Sequence, residues 1–174
     1  MTFRIDSAVE ILERTPATLT ALLGGLSDEW LAQTEGPDTW NARQVVAHLI
    51  GGEKTDWIPR VEHLLEHGER KPFPPFDRLA EIRMSGERPM GELLAEFAAL
   101  RRGSLDALMR LQLTSAQMNL PGAHPEFGTV YLRQHLATWA THDLTHISQI
   151  VRALAKRYAE DVGPWQAYLR VVRT

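Results

Sequence analysis

Hydrophobic positions in this chain recur at spacings of three and four over four separate stretches, while alternation at the strand period is missing over any useful length. The pattern predicts an all-α protein, a four-helix bundle. In the first stretch Val9, Leu12, Leu19, Leu22 and Leu23 carry the apolar face to Gly24-Gly25, and Ser7 with Glu10 has the form of a capping box. Pro16 is expected to kink or restart that helix. The second start is sharper, because Asn41 and Gln44 can cap each other while Trp40 staples onto Val45. Helix two then runs towards His67-Gly68, with a bend expected between Trp57 and Val61 where Pro59 lacks a backbone donor. Helix three begins near Pro89 and shows the stripe Leu93, Leu94, Phe97, Leu100, Leu108 and Leu111. Helix four follows Gly128-Thr129 and runs past Tyr158, stopping before Gly163-Pro164.

Two connectors, near residues 68–88 and 112–128, are longer than the turns of a simple up-down bundle. The first could cross the whole bundle and leave helices two and three pointing the same way. Its Lys71-Pro-Phe-Pro-Pro-Phe-Asp77 portion cannot be helical throughout, so it is either a pocket wall or lid, or a plain Pro-rich spacer.

Length and charge narrow the function classes. The 174 residues suit a single domain over 1–174, and a formal charge of −3 without a long Lys/Arg run leaves no footprint for nucleic acid or an acidic membrane surface. No apolar run is long enough to span a bilayer, and the start Met1–Ser7 lacks the basic and then hydrophobic stretch of a signal peptide. The cytoplasm is the expected location. With no cysteine, a transition metal would have to be held by imidazole or carboxylate.

Candidate chemistry comes from the seven histidines. Composition alone yields roughly 0.3 pairs at i,i+4 spacing, and the chain holds two. His63 and His67 fall in the last turn before Gly68, where they read as surface caps meeting the helix dipole. His142 and His146 lie along the edge of the helix-four stripe formed by Leu132, Leu136, Trp139, Ile147, Ile150 and Leu154, about 80° and 40° from Leu132. His48 flanks the helix-two stripe of Ala42, Val45 and Leu49, and Gly51-Gly52 one turn later leave room above it. These three form a metal site or are core histidines satisfied by hydrogen bonds; projection alone leaves both readings open. His135 shares the face of His142 but stands about 10 Å away, too far for joint ligation, so it lines a pocket entrance or the surface. His124 is a loop residue, either folded over the site or an ordinary turn histidine.

Two acids also project inward. Asp143 falls close to Leu132 and Ile150, as an acceptor that orients a ligand imidazole, a base for metal-bound water, or a buried acid paired with an Arg or an indole N–H. Glu53 lies about 140° around the helix from His48, which makes it a pocket acid or a partner of Arg60.

These residues resemble a known family. The segment Trp40-Asn-Ala-Arg-Gln-Val-Val-Ala-His48, then Glu53 and Trp57, and Trp139-Ala-Thr-His-Asp-Leu-Thr-His-Ile-Ser-Gln-Ile150 are similar to the DinB-like superfamily, its YfiT-type members included. The resemblance covers nearly the whole chain. It implies a four-helix bundle with an unusual crossover and a divalent metal held by His48, His142 and His146. That superfamily includes low-molecular-weight thiol S-transferases, a mycothiol-dependent isomerase and hydrolase-like members, so the likeness alone does not choose a reaction.

Three neutral imidazoles would leave the ion its full charge and an open position for water or a thiol. The leading expectation is therefore a metal-dependent enzyme acting on a small molecule, transferring a low-molecular-weight thiol to an electrophile. A hydrolase using Asp143 or Glu53 as base is the alternative, and a non-catalytic module stapled by metal is a reading of another class. Zinc is the default cation, with nickel, iron or copper equally compatible with imidazole ligands. Trp165 and Tyr168 in the tail suit either a homodimer contact or a cover for the end of the bundle.

Overall fold

The computed structural model describes residues 3–173. Its helices are α1 (Ile5–Leu23), α2 (Asp28–Leu31), α3 (Ala42–Thr55), α4 (Trp57–His67), α5 (Ala80–Ser85), α6 (Met90–Arg110) and α7 (Leu132–Ala155). The four long stretches anticipated from periodicity are α1, α3 with α4, α6 and α7. Helix α1 begins at Ile5, so Ser7 and Glu10 lie inside it and do not cap it. The box at the start of α3 does form: Gln44 N donates to Asn41 Oδ1 at 3.1 Å and Asn41 N to Gln44 Oε1 at 3.0 Å.

Both prolines act through the carbonyl four residues earlier. Pro59 cannot donate to Thr55, and the chain breaks at Asp56 (φ −113°, ψ −67°), just before the expected bend. Pro16 neither breaks nor restarts α1, which runs continuously through it. The carbonyl that Pro16 leaves without a helical donor is that of Leu12, and the Arg101 guanidinium supplies the bond instead, Nη1 to O at 2.9 Å.

The core has two parts. Leu19, Leu23, Val45, Val46, Leu49, Leu93, Phe97 and Ile150 belong to one cluster, and Leu12, Trp57, Val61, Leu108, Leu132, Leu136 and Trp139 to the other. The histidines of interest lie near the junction, on α3 and in the middle of α7.

The connectors carry structure that periodicity did not anticipate. A two-stranded antiparallel hairpin, β1 (Pro121–His124) with β2 (Gly128–Tyr131), precedes α7, and strands of four residues are too short to show an alternating pattern. Segment 68–88 docks on this hairpin, with Phe73 N donating to Ala123 O at 2.9 Å and the Phe73 ring buried. Short helix α5 then lies against α3, close enough that a Cβ on Gly51 would stand 3.1 Å from Cβ of Glu81. A Cβ on Gly52 would meet Trp57 Nε1 at 2.9 Å, so the room expected beside these glycines is filled by α5 and an indole. Beyond Ala155 the helix tightens into a 3₁₀ turn at Lys156–Tyr158, and Trp165 and Tyr168 are exposed rather than packed over the bundle. Among the described residues no helix is long and apolar enough to cross a membrane.

Candidate metal centre

His48 is carried by α3, whose start is fixed by the Asn41 box, and His142 and His146 by consecutive turns of α7. The three imidazoles meet edge to edge. Nε2 of His142 lies 3.1 Å from Nε2 of His48 and 3.1 Å from Nε2 of His146, and one nitrogen from each ring falls within 4.8 Å of the others. Among the described residues this is the group of three side chains able to hold a metal ion.

The far side of two rings fixes their tautomer. His48 Nδ1–H donates to the Arg78 carbonyl at 3.2 Å, and His146 Nδ1–H donates to Gln149 Oε1 at 2.8 Å. Both Nε2 atoms are therefore lone pairs aimed at Nε2 of His142, whose own Nδ1 is buried without an acceptor. That ring stands edge-on to Trp57, with centroids 5.0 Å apart at 71°.

Burial keeps these rings neutral. It lowers His48 to about 4, helped by the neighbouring His146 charge, and lowers His142 to about 2, helped by His146 and then His48. His146 is also lowered by burial, against the opposing bond to Gln149. Without metal, a proton on His142 Nε2 is shared between the His48 and His146 lone pairs and the buried Nδ1 stays unpartnered, whereas a cation in place of that proton would be attracted to all three nitrogens. Imidazole nitrogens bound tetrahedrally at ~2.0–2.1 Å would stand about 3.3 Å apart, close to the 3.1 Å of the two pairs that include His142, so the donor set fits a divalent transition metal.

One side of the cluster opens into a chamber of about 500 Å³ walled by Trp40, Phe76, Arg78 and Gln149. Trp40 packs 4.9 Å from the His48 ring and stacks on His146 at 18° and 6.3 Å. Phe76 meets His48 edge-on at 5.9 Å, so the Pro-rich connector is a wall of the site rather than a plain spacer. The opposite side is closed by an ionic cluster centred on Arg101 of α6. Its Nη1 and Nη2 take both oxygens of Asp143 at 2.5 and 3.0 Å, and Nε and Nη2 take Glu53 Oε1 at 3.0 and 2.8 Å. The Trp139 indole also donates to Glu53 Oε1, at 3.2 Å.

This arrangement places the expected site residues unevenly. His48, His142 and His146 are brought together. Asp143 and Glu53 point away from the chamber to Arg101, and neither orients a ligand ring, a task that falls to the Arg78 carbonyl and Gln149. Glu53 does not pair with Arg60, which binds Asp56 at 2.7 Å. His63 Nε2–H donates to Lys71 O at 2.9 Å, at the end of α4 and apart from the cluster. His124 is a turn histidine whose Nδ1 accepts from the N–H of Glu126 and Phe127. His135 Nε2 donates to Trp57 O at 3.0 Å and lines a second cavity next to His142.

Arg101, Arg78, Phe76 and Gln149 were not anticipated. Arg101 had a signal, since it continues the α6 series Leu94, Phe97, Arg101, Ser104, Leu108 at helical spacing and so must be buried. Gln149 stands one turn beyond His146 and could have been found the same way.

The sequence pattern of the DinB superfamily matches residues 11–150 of this chain. The chain belongs to the DinB superfamily. All three histidines lie inside the matched span. Among solved structures the fold is similar to YfiT from Bacillus subtilis, with a TM-score of 0.73 and 25% identity over 88% of this chain and 86% of that one. YfiT is described as a probable metal-dependent hydrolase with an unusual four-helix bundle topology. No curated protein matches this DinB-superfamily chain.

Proposed function

We propose that this protein is a metal-dependent hydrolase acting on a small molecule, with His48, His142 and His146 as the ligands of one divalent cation. The observation that carries the reading is the convergence of three Nε2 atoms, two of them forced to be lone pairs by bonds at Nδ1. Bound there, a divalent cation acts as a Lewis acid that activates water or polarises a carbonyl. The residues of the chain do the rest: Trp40 and Phe76 shield the imidazoles from bulk water, and Arg78 brings a cationic group to the rim of the chamber, 5.9 Å from the Trp40 ring. Asp143 and Glu53 belong to the scaffold around Arg101 and are not bases at the reacting atoms.

Similarity to YfiT supports hydrolysis over thiol transfer, for which no residue of the chamber selects. The chamber itself argues against a purely stapling metal, because the imidazoles face an accessible space on one side. Part of the same reading is that residues 68–88 cross the bundle, which is supported by α3 and α6 both entering one core cluster with their first halves.

The test is elemental analysis of protein purified without chelator or affinity tag, joined to an ester and amide panel run with and without added thiol. One equivalent of metal and thiol-independent turnover, both lost in His142→Ala, are expected. Turnover only with thiol would favour the transferase reading, and metal-free protein with no affinity for zinc would remove the proposal.

A further inference from the structure

The histidine chamber has a neighbour. A second cavity of about 270 Å³ lies behind it, and the two share His142 and Phe76 as a common wall. The first holds the open side of the three imidazoles. The second is lined by the rings of Trp57, Phe73, Phe127 and His135 and by Val130, with Gln134, Thr138 and the Asp56–Arg60 pair as polar lining.

Its charges cancel. Arg60 is the cation on this wall, and it is held by Asp56 at 2.7 Å, with its guanidinium lying 5.1 Å over the Phe73 ring. His135 is lowered to about 4 by burial, and His124 is lowered for the same reason, so neither adds positive charge at neutral pH. An anionic group placed here would lose water and gain no free cation. An apolar group carries no ionic hydration shell to give up and buries surface against the rings. Size sets the upper bound, since cavities of about 150 Å³ already accept benzene, so this one has space for a phenyl ring or a branched chain with its linker.

We infer that the smaller cavity is a subsite for an uncharged aromatic or bulky apolar arm of the substrate, whose reacting end lies at the three histidines. The inference rests on the metal-centre reading for the position of the reacting end. It assigns substrate class: compounds with a ring or branched apolar group one or two bonds from the reacting carbonyl, and not small polar ones.

Two hydroxamates that share a metal-binding end and differ only in the arm separate the possibilities. On the zinc-loaded full chain, phenylacetohydroxamic acid should bind about tenfold tighter than acetohydroxamic acid by calorimetry, the gain expected from burying one ring. Val130→Trp, which fills the cavity away from the histidines, should erase that difference and leave acetohydroxamate within about twofold. Phe127→Ala, a change at an exposed side chain that removes one ring of the wall, should weaken only the phenyl compound, by about threefold. Equal affinities for the two compounds, or a preference that survives Val130→Trp, would overturn the subsite while leaving the metal centre intact. Failure of both compounds to bind would overturn the metal reading and the subsite with it.

Discussion

Two polar clusters sit side by side in this core, joined by the adjacent residues His142 and Asp143, and they solve the burial problem in opposite ways. Around Arg101, every guanidinium N–H finds an acceptor: a side chain 1% exposed meets two carboxylates that are fully buried and the carbonyl orphaned by Pro16, an indole N–H joins at Glu53 Oε1, and Glu53 Oε2 is left unpartnered. That cluster ties α1, α3, α6 and α7 at one point and commits the guanidinium N–H groups to protein acceptors. Around His142, the lone pairs of His48 and His146 face its Nε2, held there by their outward N–H bonds, while His142 Nδ1 is buried without a partner. A buried ionic network with its cation in place specifies packing, whereas two lone pairs converging on a third imidazole nitrogen from outside anchors form a donor set that a cation completes. Burial of polar residues is therefore common to both regions, and matching is what separates scaffold from site.

Breaking the matched cluster should cost the most. Arg101→Met leaves Glu53 and Asp143 buried without their cation, and the loss of stability in urea at pH 8 should be about 3–5 kcal/mol. Glu53 is already raised by burial against the opposing charge of Arg101, and the variant removes that opposition. A carboxyl whose folded value lies above its unfolded value favours the folded state below the unfolded value and loses that advantage as pH rises. The variant should accordingly recover part of the deficit at pH 5. A loss under about 1 kcal/mol, or one that does not depend on pH, would mean that the carboxylates reach water and that the cluster is not the scaffold described.

The histidine cluster should show the opposite pH response in metal-free protein. His48, lowered to about 4, contributes fully above the unfolded value of 6.5 and loses its contribution as pH falls from there towards 4. The decline attributable to it is roughly 2–3 kcal/mol, and His142 extends the slope to lower pH. His48→Gln cannot take up a proton and should flatten that acid limb. Zinc should move the limb to lower pH, because protons and cation compete for the same nitrogens. Identical acid limbs in the parent protein and His48→Gln would show that these rings are not neutral when folded.

The contrast also explains what the sequence made legible. Helical stripes, the Asn41 box and the His142–His146 spacing are local, and each survives projection from one dimension. The breaks are less so: Pro16 and Pro59 read alike in sequence, but a guanidinium from α6 rescues the first and nothing comparable keeps α3 joined to α4. The carbonyl that orients His48 belongs to Arg78 in a Pro-rich connector, and any residue there would offer the same atom. Arg101 was legible in principle from its place on the apolar stripe of α6, and its two carboxylate partners could be assigned only once α3 and α7 were placed around it. Asp143 shows the limit most clearly. Its inward position is evident from the helix, but whether it faces the histidines or the arginine depends on which neighbour fills that side.

The smallest effect tests whether outward bonds hold the acceptors in place. Gln149 lines the chamber beside the histidines, and its Oε1 takes the Nδ1–H of His146 at 2.8 Å and so points Nε2 inward. Gln149→Ala should weaken zinc about 10–100-fold in a chelator competition while leaving the stability of metal-free protein nearly unchanged. Gln149→Glu, which keeps an acceptor and adds charge, should restore affinity or exceed it. His48 provides the internal control, because its acceptor is a backbone carbonyl that no side-chain change removes. If Gln149→Ala binds zinc as tightly as the parent protein, the stack of His146 on Trp40 sets the ring orientation, and an outward bond fixes the tautomer of His48 alone.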